Sequence, residues 1–246
     1  MNQEVVLEMK NIKKHFGEKL VHEGLNLSLL KGEILAIFGG SGTGKSVALR
    51  SLIGLEKPDS GEILFRGHDI TKLKESQLID VRKKIAYVFQ NGALFDSMTV
   101  EENLAYPLIE HTKLNDEQIR EKIRALLALI GMQGSEQLLP ASLSGGMQKR
   151  VGLARAIILE PEIILYDEPT AGLDPQNTIK LLELIDKLRS MGSTGIFVTH
   201  DIPAALQIAD RIAILYNRKI HVIDKVENIK NSSDPVVKDF IAGNHD

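Results

Sequence analysis

The sequence contains no cysteine, and aromatic residues make up only 4% of the chain. Disulfides and thiolate metal sites are therefore excluded, which fits a reducing compartment. No apolar run reaches the length of about 18 residues that a membrane-spanning helix needs, so any membrane role is expected to be peripheral. The N-terminal stretch MNQEVVLEMKNIKKHF also lacks the pattern of a signal peptide. We therefore expect a cytoplasmic protein.

A strong net charge of either sign is also missing. With 30 basic and 33 acidic side chains, the formal charge at pH 7 is −3. Such a balance creates no field that would hold a polyanion, so no nucleic-acid partner is expected. What the chain does have is a globular composition, 43% apolar and 26% charged, with enough length for one core and a small second lobe. One domain with an insertion is favoured over two separate domains.

Short apolar runs alternate with segments of helical periodicity along most of the chain. The runs VVLEM, LNLSLL and EILAIF indicate strands, which we expect to be separated by turns at Gly17, Gly24 and Gly32. GEILFRG indicates another strand with a turn glycine at each end. Later runs, EIILYDE, TGIFVTH, RIAILYN and KIHVID, alternate with helices, one of which is expected to begin at Pro175 behind Asp174. The alternation predicts an α/β fold with a largely parallel sheet.

A helix-rich stretch, residues 92–160, interrupts this alternation. Within it, residues 115–130 start with Asn115 and acidic residues and carry apolar side chains at helical spacing, which predicts a capped amphipathic helix. We expect these helices to form a lobe inserted into an α/β core made of residues 1–91 and 161–246.

The stretch GGSGTGKS, residues 39–46, matches the P-loop pattern and lies between a predicted strand and a predicted helix. Its glycines allow successive backbone N–H groups and the helix dipole to face the β-phosphate of a nucleotide. Lys45 adds a positive charge for the β- and γ-phosphates, and Ser46 offers a hydroxyl to Mg²⁺. The alternative is a glycine turn before an amphipathic helix. The predicted nucleotide-binding residues of this loop are Gly39, Gly40, Ser41, Gly42, Thr43, Gly44, Lys45, Ser46 and Val47.

Two carboxylates, Asp167 and Glu168, end the apolar run IILYDE. In a P-loop fold, Asp167 is expected near the Mg²⁺ ion, and Glu168 is expected where a water attacks the γ-phosphate of ATP. By itself such a strand end is equally consistent with a solvated turn. Together with the P-loop it favours the catalytic interpretation.

Five motifs, GGSGTGKS, VFQ, LSGGM, LYDEPTAGLD and TH, occur in the order and approximate spacing found in ATP-binding-cassette (ABC) ATPases. The chain resembles this family over nearly its whole length. The resemblance implies a P-loop NTPase fold in a single domain, residues 1–246. It would have a RecA-like parallel-sheet core, an N-terminal antiparallel β subdomain and an inserted helical subdomain that carries the signature motif LSGGM.

The resemblance also implies roles for single residues. Gln90 resembles the Q-loop glutamine that contacts Mg²⁺ and the attacking water and links the core to the helical lobe. His200 resembles the switch histidine that contacts the γ-phosphate, and the other six histidines are expected at the surface. Phe16 occupies the position of the aromatic ring that packs on adenine; as a strand residue it could equally be packed in the core.

In LSGGM, Ser144 and the N–H groups of Gly145 and Gly146 open a helix and form an anion site without a lysine. In ABC ATPases this signature faces the γ-phosphate held by the P-loop of a second subunit. The resemblance therefore implies a homodimer that encloses two ATP molecules. Asp174 resembles the D-loop residue at the same interface. Met147 replaces the usual glutamine, which leaves Ser144 and the backbone donors in place.

Translation and DNA-repair members of the superfamily need a second cassette or a long coiled coil, for which this chain has no room. The chain therefore resembles the detached ATPase subunit of a transporter, bound to an integral membrane permease at the cytoplasmic face of a bacterial inner membrane. Three apolar residues after the Q-loop, Leu94, Phe95 and Met98, are candidates for the permease contact or for the core of the lobe.

The segment NGALFDSMTVEENLAYPLIEHTKL, with LSGGM and DPVVKDFIAG, resembles the ATPases of the maintenance-of-lipid-asymmetry (Mla) phospholipid transporters and their MCE relatives. This resemblance implies phospholipid transport and, as further partners, MCE-type substrate-binding subunits and small cytoplasmic accessory subunits. A polar-solute importer, a lipoprotein-releasing system and a regulatory ABC ATPase share the catalytic motifs and remain the alternatives.

Overall fold

The structure, a computed structural model, describes residues 4–243. Within them the chain forms ten strands and nine α-helices. The strands are β1 (Val5–Phe16), β2 (Lys19–Leu30), β3 (Ile34–Phe38), β4 (Ser60–Phe65), β5 (His68–Asp69), β6 (Ile85–Val88), β7 (Ile163–Asp167), β8 (Thr194–Val198), β9 (Arg211–Tyr216) and β10 (Lys219–Lys225). The helices are α1 (Lys45–Leu52), α2 (Glu75–Lys84), α3 (Val100–His111), α4 (Asp116–Leu129), α5 (Gly145–Ile157), α6 (Pro175–Ser190), α7 (Ile202–Ile208), α8 (Val226–Lys230) and α9 (Pro235–Ile241).

The N-terminal strands form an antiparallel sheet in the order β2-β1-β4-β5. Here the expected turns at glycines were partly wrong. Gly24 lies inside β2, where it is the extra residue of a β-bulge, because Glu23 and Leu25 pair with the consecutive residues Lys13 and Ile12. Its φ of 73° fits that role.

Gly61 likewise lies inside β4 and not at a turn before the strand. Its φ is 96°, and a Cβ there would lie 2.6 Å from the carbonyl oxygens of Lys10 and Asn11 on β1. The close approach of the two strands therefore requires glycine, a contact that no local pattern announces.

The second sheet has the order β10-β9-β3-β8-β7-β6. Strands β9, β3, β8, β7 and β6 are parallel, and only the edge strand β10 is antiparallel. Every residue of β3, β7 and β8 is buried, as expected for central strands covered on both faces. Because these strands are parallel neighbours, the segments that follow them meet at one edge of the sheet, the usual place for a ligand site in open α/β folds.

Between β6 and β7 the described chain consists of helices and loops. The capped helix predicted near residue 115 is α4, whose N-cap Asn115 accepts a hydrogen bond from the Gln118 N–H at 3.0 Å. Helix α6 begins at Pro175 as predicted. Helices α3–α5 share one hydrophobic cluster with a face of the parallel sheet. The proposed boundaries of a separate helical subdomain, residues 92–160, stay a prediction. Among residues 4–243, no helix is both long and apolar enough to cross a bilayer.

Candidate functional site

The P-loop connects β3 to α1, and Lys45 is the first residue of that helix. Gly44 is the N-cap with a φ of 101°, and a Cβ there would lie 2.6 Å from the His22 ring. The Lys45 side chain is buried and folds back over the loop, donating to the carbonyls of Gly39 at 2.7 Å and Gly40 at 3.0 Å. Burial lowers the pKa of Lys45, while the carboxylates Glu168 and Asp167 oppose the shift.

The residues predicted to hold Mg²⁺ are partly assembled. Asp167, at the end of β7, accepts hydrogen bonds from the Ser46 hydroxyl at 2.8 Å and from the Tyr87 hydroxyl at 2.6 Å. A hydroxyl and a buried carboxylate beside a phosphate loop are the oxygen ligands that Mg²⁺ prefers, so these residues fit that ion. Among the described residues there is no group of three or more His, Cys, Asp or Glu side chains placed to hold a metal. Phosphate oxygens and water would therefore complete the coordination.

Tyr87 was not identified from the sequence. Burial and the hydrogen bond to Asp167 raise its pKa, so the phenol stays protonated and keeps donating to the carboxylate. No local pattern in the sequence identifies it, because its contact with Asp167 arises from the pairing of β6 with β7, in which Tyr87 is opposite Leu165.

Glu168 directly follows β7, and its backbone adopts the left-handed region with a φ of 48°. Its N–H donates to the Val198 carbonyl at 2.9 Å. A non-glycine residue in this conformation costs about 1–2 kcal/mol. Such backbone strain is concentrated at functional sites, where surrounding contacts hold it in place.

His200 lies beside Glu168, as expected for two groups acting on one phosphate. Its Nδ1 is 3.0 Å from Oε2 of Glu168, so that an Nδ1–H can donate to the carboxylate. The His200 ring is largely exposed, whereas Glu168 is mostly covered. The pair is therefore open to a ligand from the histidine side.

Gln90 and Phe16 are the remaining residues that the sequence predicts at the nucleotide site. Both are exposed. Gln90 is in a turn after β6. Phe16 ends β1, and the Lys14 ammonium lies 4.7 Å from the centre of its ring. Phe16 is 44% exposed, so its ring is not packed in the core. The contact of this ring with adenine stays a prediction.

The signature motif begins α5. Ser144 is the N-cap, and its hydroxyl accepts from the Met147 N–H at 3.3 Å. Ser144 and Gly145 are exposed, while Gly146 is buried. A Cβ at Gly146 would lie 2.6 Å from the side chain of Asn177. In turn, Asn177 donates its backbone N–H to Asp174 at 3.0 Å, which makes Asp174 the N-cap of α6. Signature and D-loop therefore adjoin.

His22 contradicts the expectation that every histidine other than His200 is at the surface. Its side chain is fully buried against the P-loop, and Nε2–H donates to the Gly44 carbonyl at 3.1 Å. The other ring nitrogen, Nδ1, is buried without a partner. Burial lowers the pKa of His22, so the ring is neutral at pH 7. The expectation was wrong because residues distant in sequence cover β2. His245 lies outside the described residues.

Comparison with known proteins assigns the chain to a family. The family model described as ABC transporter matches residues 22–171, more than half of the chain. The chain belongs to the ABC transporter family. The predicted fold class is confirmed by ABC cassettes of known structure, and the prediction of an ATP-hydrolysing enzyme is confirmed with the family.

Curated ABC relatives match nearly the whole chain. The probable ribonucleotide transport ATP-binding protein mkl of Mycobacterium leprae is 41% identical over 97% of this chain and 69% of its own length. The intermembrane phospholipid transport system ATP-binding protein MlaF of Escherichia coli is 40% identical over 97% of this chain and 89% of its own. MlaF of Haemophilus influenzae is 40% identical over 100% of this chain and 93% of its own.

Solved ABC cassettes superpose closely. The cassette cbiO1 of Clostridium perfringens, part of the transporter complex cbiONQ, has a TM-score of 0.85 at 26% identity and covers 96% of this chain and 95% of its own. The cassette MJ0796, a dimer in a post-hydrolysis state bound to ADP and Pi, has a TM-score of 0.82 at 33% identity. The match covers 89% of this chain and 98% of the MJ0796 chain. The chain is thus an ATP-binding ABC cassette.

Proposed function

We propose that this ATPase powers phospholipid transport between the inner and outer membranes through a separate permease. The observation that carries the proposal is 40% identity to MlaF over nearly the whole of both chains. The segment after the Q-loop, which leads into the helical lobe, carries the same resemblance in the sequence.

The proposed reaction starts with ATP held by the P-loop. The N–H groups at the start of α1 and the Lys45 ammonium bind the β- and γ-phosphates. Ser46 and Asp167 would hold Mg²⁺, with Gln90 in contact with it, and the ion would supply positive charge for the phosphate oxygens. Tyr87 keeps Asp167 oriented by its hydrogen bond at 2.6 Å. Phe16 stacks on the adenine.

Glu168 is the proposed general base, taking a proton from the water that attacks the γ-phosphate. Its left-handed backbone and the bond from its N–H to Val198 fix the main chain of Glu168 at the end of β7. The Nδ1 of His200 lies 3.0 Å from Oε2 of Glu168 and helps to hold this carboxylate. His200 is also proposed to contact the γ-phosphate. These roles are hypotheses that the geometry supports.

A second copy of the chain is the proposed partner at the signature. Ser144 and Gly145 are exposed at the N-terminus of α5, where backbone donors suit an anion. Among residues 4–243, no hydrogen bond joins Ser144 or Asp174 to the P-loop of the same chain. The dimeric MJ0796 cassette supports pairing of two cassettes. Met147 and Asp174 are proposed to lie at the shared face.

The permease is the second proposed partner, at the cytoplasmic face of a bacterial inner membrane. Leu94 packs against the core and Met98 is half-buried, but Phe95 is 43% exposed. The Phe95 ring packs edge-on against Tyr106, with centroids 5.4 Å apart, and the Arg155 guanidinium lies 5.1 Å from its centre. We propose Phe95 as the permease contact. MCE-type and small accessory subunits complete the proposed complex.

A charge at Phe95 should separate the cassette from the permease. Phe95→Asp is expected to leave ATP binding within about twofold of wild type, since the residue lies outside the P-loop, while co-purification with the permease falls. Phe95→Tyr, which keeps the ring, serves as the control. Retention of the permease by Phe95→Asp would remove this contact from the proposal.

Ribonucleotide transport is the second candidate, taken from the name of the mkl relatives at 41% identity. The chain covers only 67–69% of those relatives but 89–93% of MlaF proteins, which favours the phospholipid system.

The deciding experiment is transfer of labelled phospholipid by the purified complex in liposomes, with ATP, compared with the same complex carrying Glu168→Gln. We expect transfer that needs ATP hydrolysis. Equal transfer by both complexes, or uptake of labelled ribonucleotide in its place, would contradict the proposal.

A further inference from the structure

Lys149 links the signature helix to the loop that follows the proposed catalytic base. From the second turn of α5, its ammonium donates to the Pro169 carbonyl at 2.9 Å and to the Ala171 carbonyl. One cation thus holds two carbonyls on either side of Thr170. Charged hydrogen bonds of this kind are stronger than neutral ones, so the path of the loop depends on this side chain.

The loop held by Lys149 has a functional residue at each end. It leaves β7 at Glu168 and enters α6 at Asp174. Two turns fold it, with the Ala171 N–H bonded to the Glu168 carbonyl at 3.2 Å and the Leu173 N–H bonded to Thr170 at 3.1 Å. Because the loop is this short, a shift of its carbonyls changes the orientation of both ends.

A second contact ties the same helix to the far end of the loop. Gly146, in the first turn of α5, packs against Asn177, and Asn177 bonds to Asp174 through both its backbone and its side-chain N–H groups. Helix α5 therefore contacts the middle of the loop through Lys149. It contacts the end of the loop near Asp174 through the packing of Gly146 on Asn177.

The neighbouring cations of α5 serve other contacts. Arg150 donates to the Ile130 carbonyl at 2.9 Å, and Arg155 donates to Asn103 at 3.3 Å. Burial lowers the pKa of Lys149, and the negative charge of Glu168 opposes that shift. Of these three cations of α5, Lys149 is the one whose pKa responds to the charge of Glu168 and whose ammonium bonds to the loop after it.

We propose that Lys149 is a positioning residue for ATP hydrolysis, which makes the placement of Glu168 and Asp174 depend on the orientation of the signature helix. The inference rests on the proposed role of Glu168. The signature helix would thereby act within its own chain as well as on a partner. When α5 moves on contact with the nucleotide bound by a second subunit, Lys149 carries that movement to Glu168, which lies beside the nucleotide bound by its own subunit.

The test compares Lys149→Met, which keeps much of the aliphatic stem without the charge, with Lys149→Arg, which keeps N–H donors. Lys180→Met is the matched control, because Lys180 is exposed on α6. For the full-length chain we would measure kcat and KM for ATP hydrolysis and the affinity for ATP. Lys149→Met should lower kcat by about tenfold or more, since small misplacements of a catalytic group are costly. ATP affinity should stay within about twofold.

Lys149→Arg should recover most of the lost kcat, and Lys180→Met should match wild type. Amide hydrogen exchange of residues 170–173 should be faster in Lys149→Met alone. Unchanged kcat in Lys149→Met, with Glu168→Gln inactive, would overturn the role of Lys149 and leave the proposed base intact. A parallel loss of ATP affinity would reduce the role to general stability and also overturn it. Full activity of Glu168→Gln would overturn both the base and the inference.

Discussion

The P-loop and the signature each lead into the N-terminus of a helix, but the start of α1 is largely covered while the start of α5 is exposed. At α1, a lysine folds over the loop, and Ser46 is bonded to a buried carboxylate. At α5, Ser144 is exposed and bonded to its own helix, and Lys149 is turned toward the loop after Glu168. The first site has a positive charge and a hydroxyl–carboxylate pair in place, whereas the second offers the Ser144 hydroxyl and backbone N–H donors. This difference fits the proposal that the two helix ends are the two halves of one nucleotide site shared between two chains.

The largest expected effect breaks the chemistry of the first site. Glu168→Gln keeps the shape of the side chain but removes the proton acceptor, so hydrolysis should fall by at least about a hundredfold. ATP binding should persist, because the P-loop is untouched. Single-turnover hydrolysis and ATP titration measure the two properties. A variant that hydrolyses ATP at close to the wild-type rate would refute the role of Glu168.

Lys45→Ala should act on binding itself. Loss of a charged donor to the ground-state phosphates is expected to weaken ATP affinity by about ten- to a hundredfold. Titration with a fluorescent ATP analogue checks this, with melting curves showing that the chain still folds. Unchanged affinity would mean that the buried lysine serves only the carbonyls of Gly39 and Gly40.

Ser144→Arg sharpens the contrast between the two helix ends. A bulky cation at the exposed N-cap of α5 should leave ATP binding by one chain within about twofold of wild type and block ATP-dependent dimerisation. Analytical ultracentrifugation in the Glu168→Gln background provides the measurement, with Ser144→Thr as the conservative control. A dimer that forms equally well with Ser144→Arg would show that the signature is not shared.

The smallest expected effect concerns His22 beneath the P-loop. Burial lowers its pKa below the ordinary value of 6.5. As the pH falls below about 6.5, the unfolded chain therefore takes up a proton before the folded chain does, and stability is lost until the folded pKa is passed. Above that window the ring is neutral in both states and contributes no pH dependence.

His22→Leu should reduce this acid sensitivity. We expect the fall in melting temperature between pH 7.5 and pH 5.5 to be smaller in His22→Leu than in wild type. His68→Leu, at an exposed position, controls for the loss of a histidine. Equal falls in wild type and His22→Leu would show that burial of His22 does not contribute to the acid sensitivity.

The sequence alone was sufficient wherever the chemistry is local. The P-loop, the pair Asp167–Glu168, the caps Asn115 and Asp174 and the alternation of elements each occupy a few consecutive residues with their own backbone requirements. Their types and order therefore indicated the fold and the family. The expected turn at Gly24 failed because a glycine with positive φ suits a bulge inside a strand as well as a turn.

Only the tertiary structure decided the contacts between distant segments. Tyr87 reaches Asp167 across 80 residues, His22 reaches Gly44 across 22, and Lys149 reaches Ala171 across 22. The periodicity of apolar residues indicates which side of a helix or strand faces the core. It does not indicate which side chain of a distant segment packs against that side. Parallel pairing of β6 with β7 and packing of α5 on the loop before α6 bring these partners together. The sequence determined which groups can do the chemistry, and the packing of the sheet and helices determined what holds them in position.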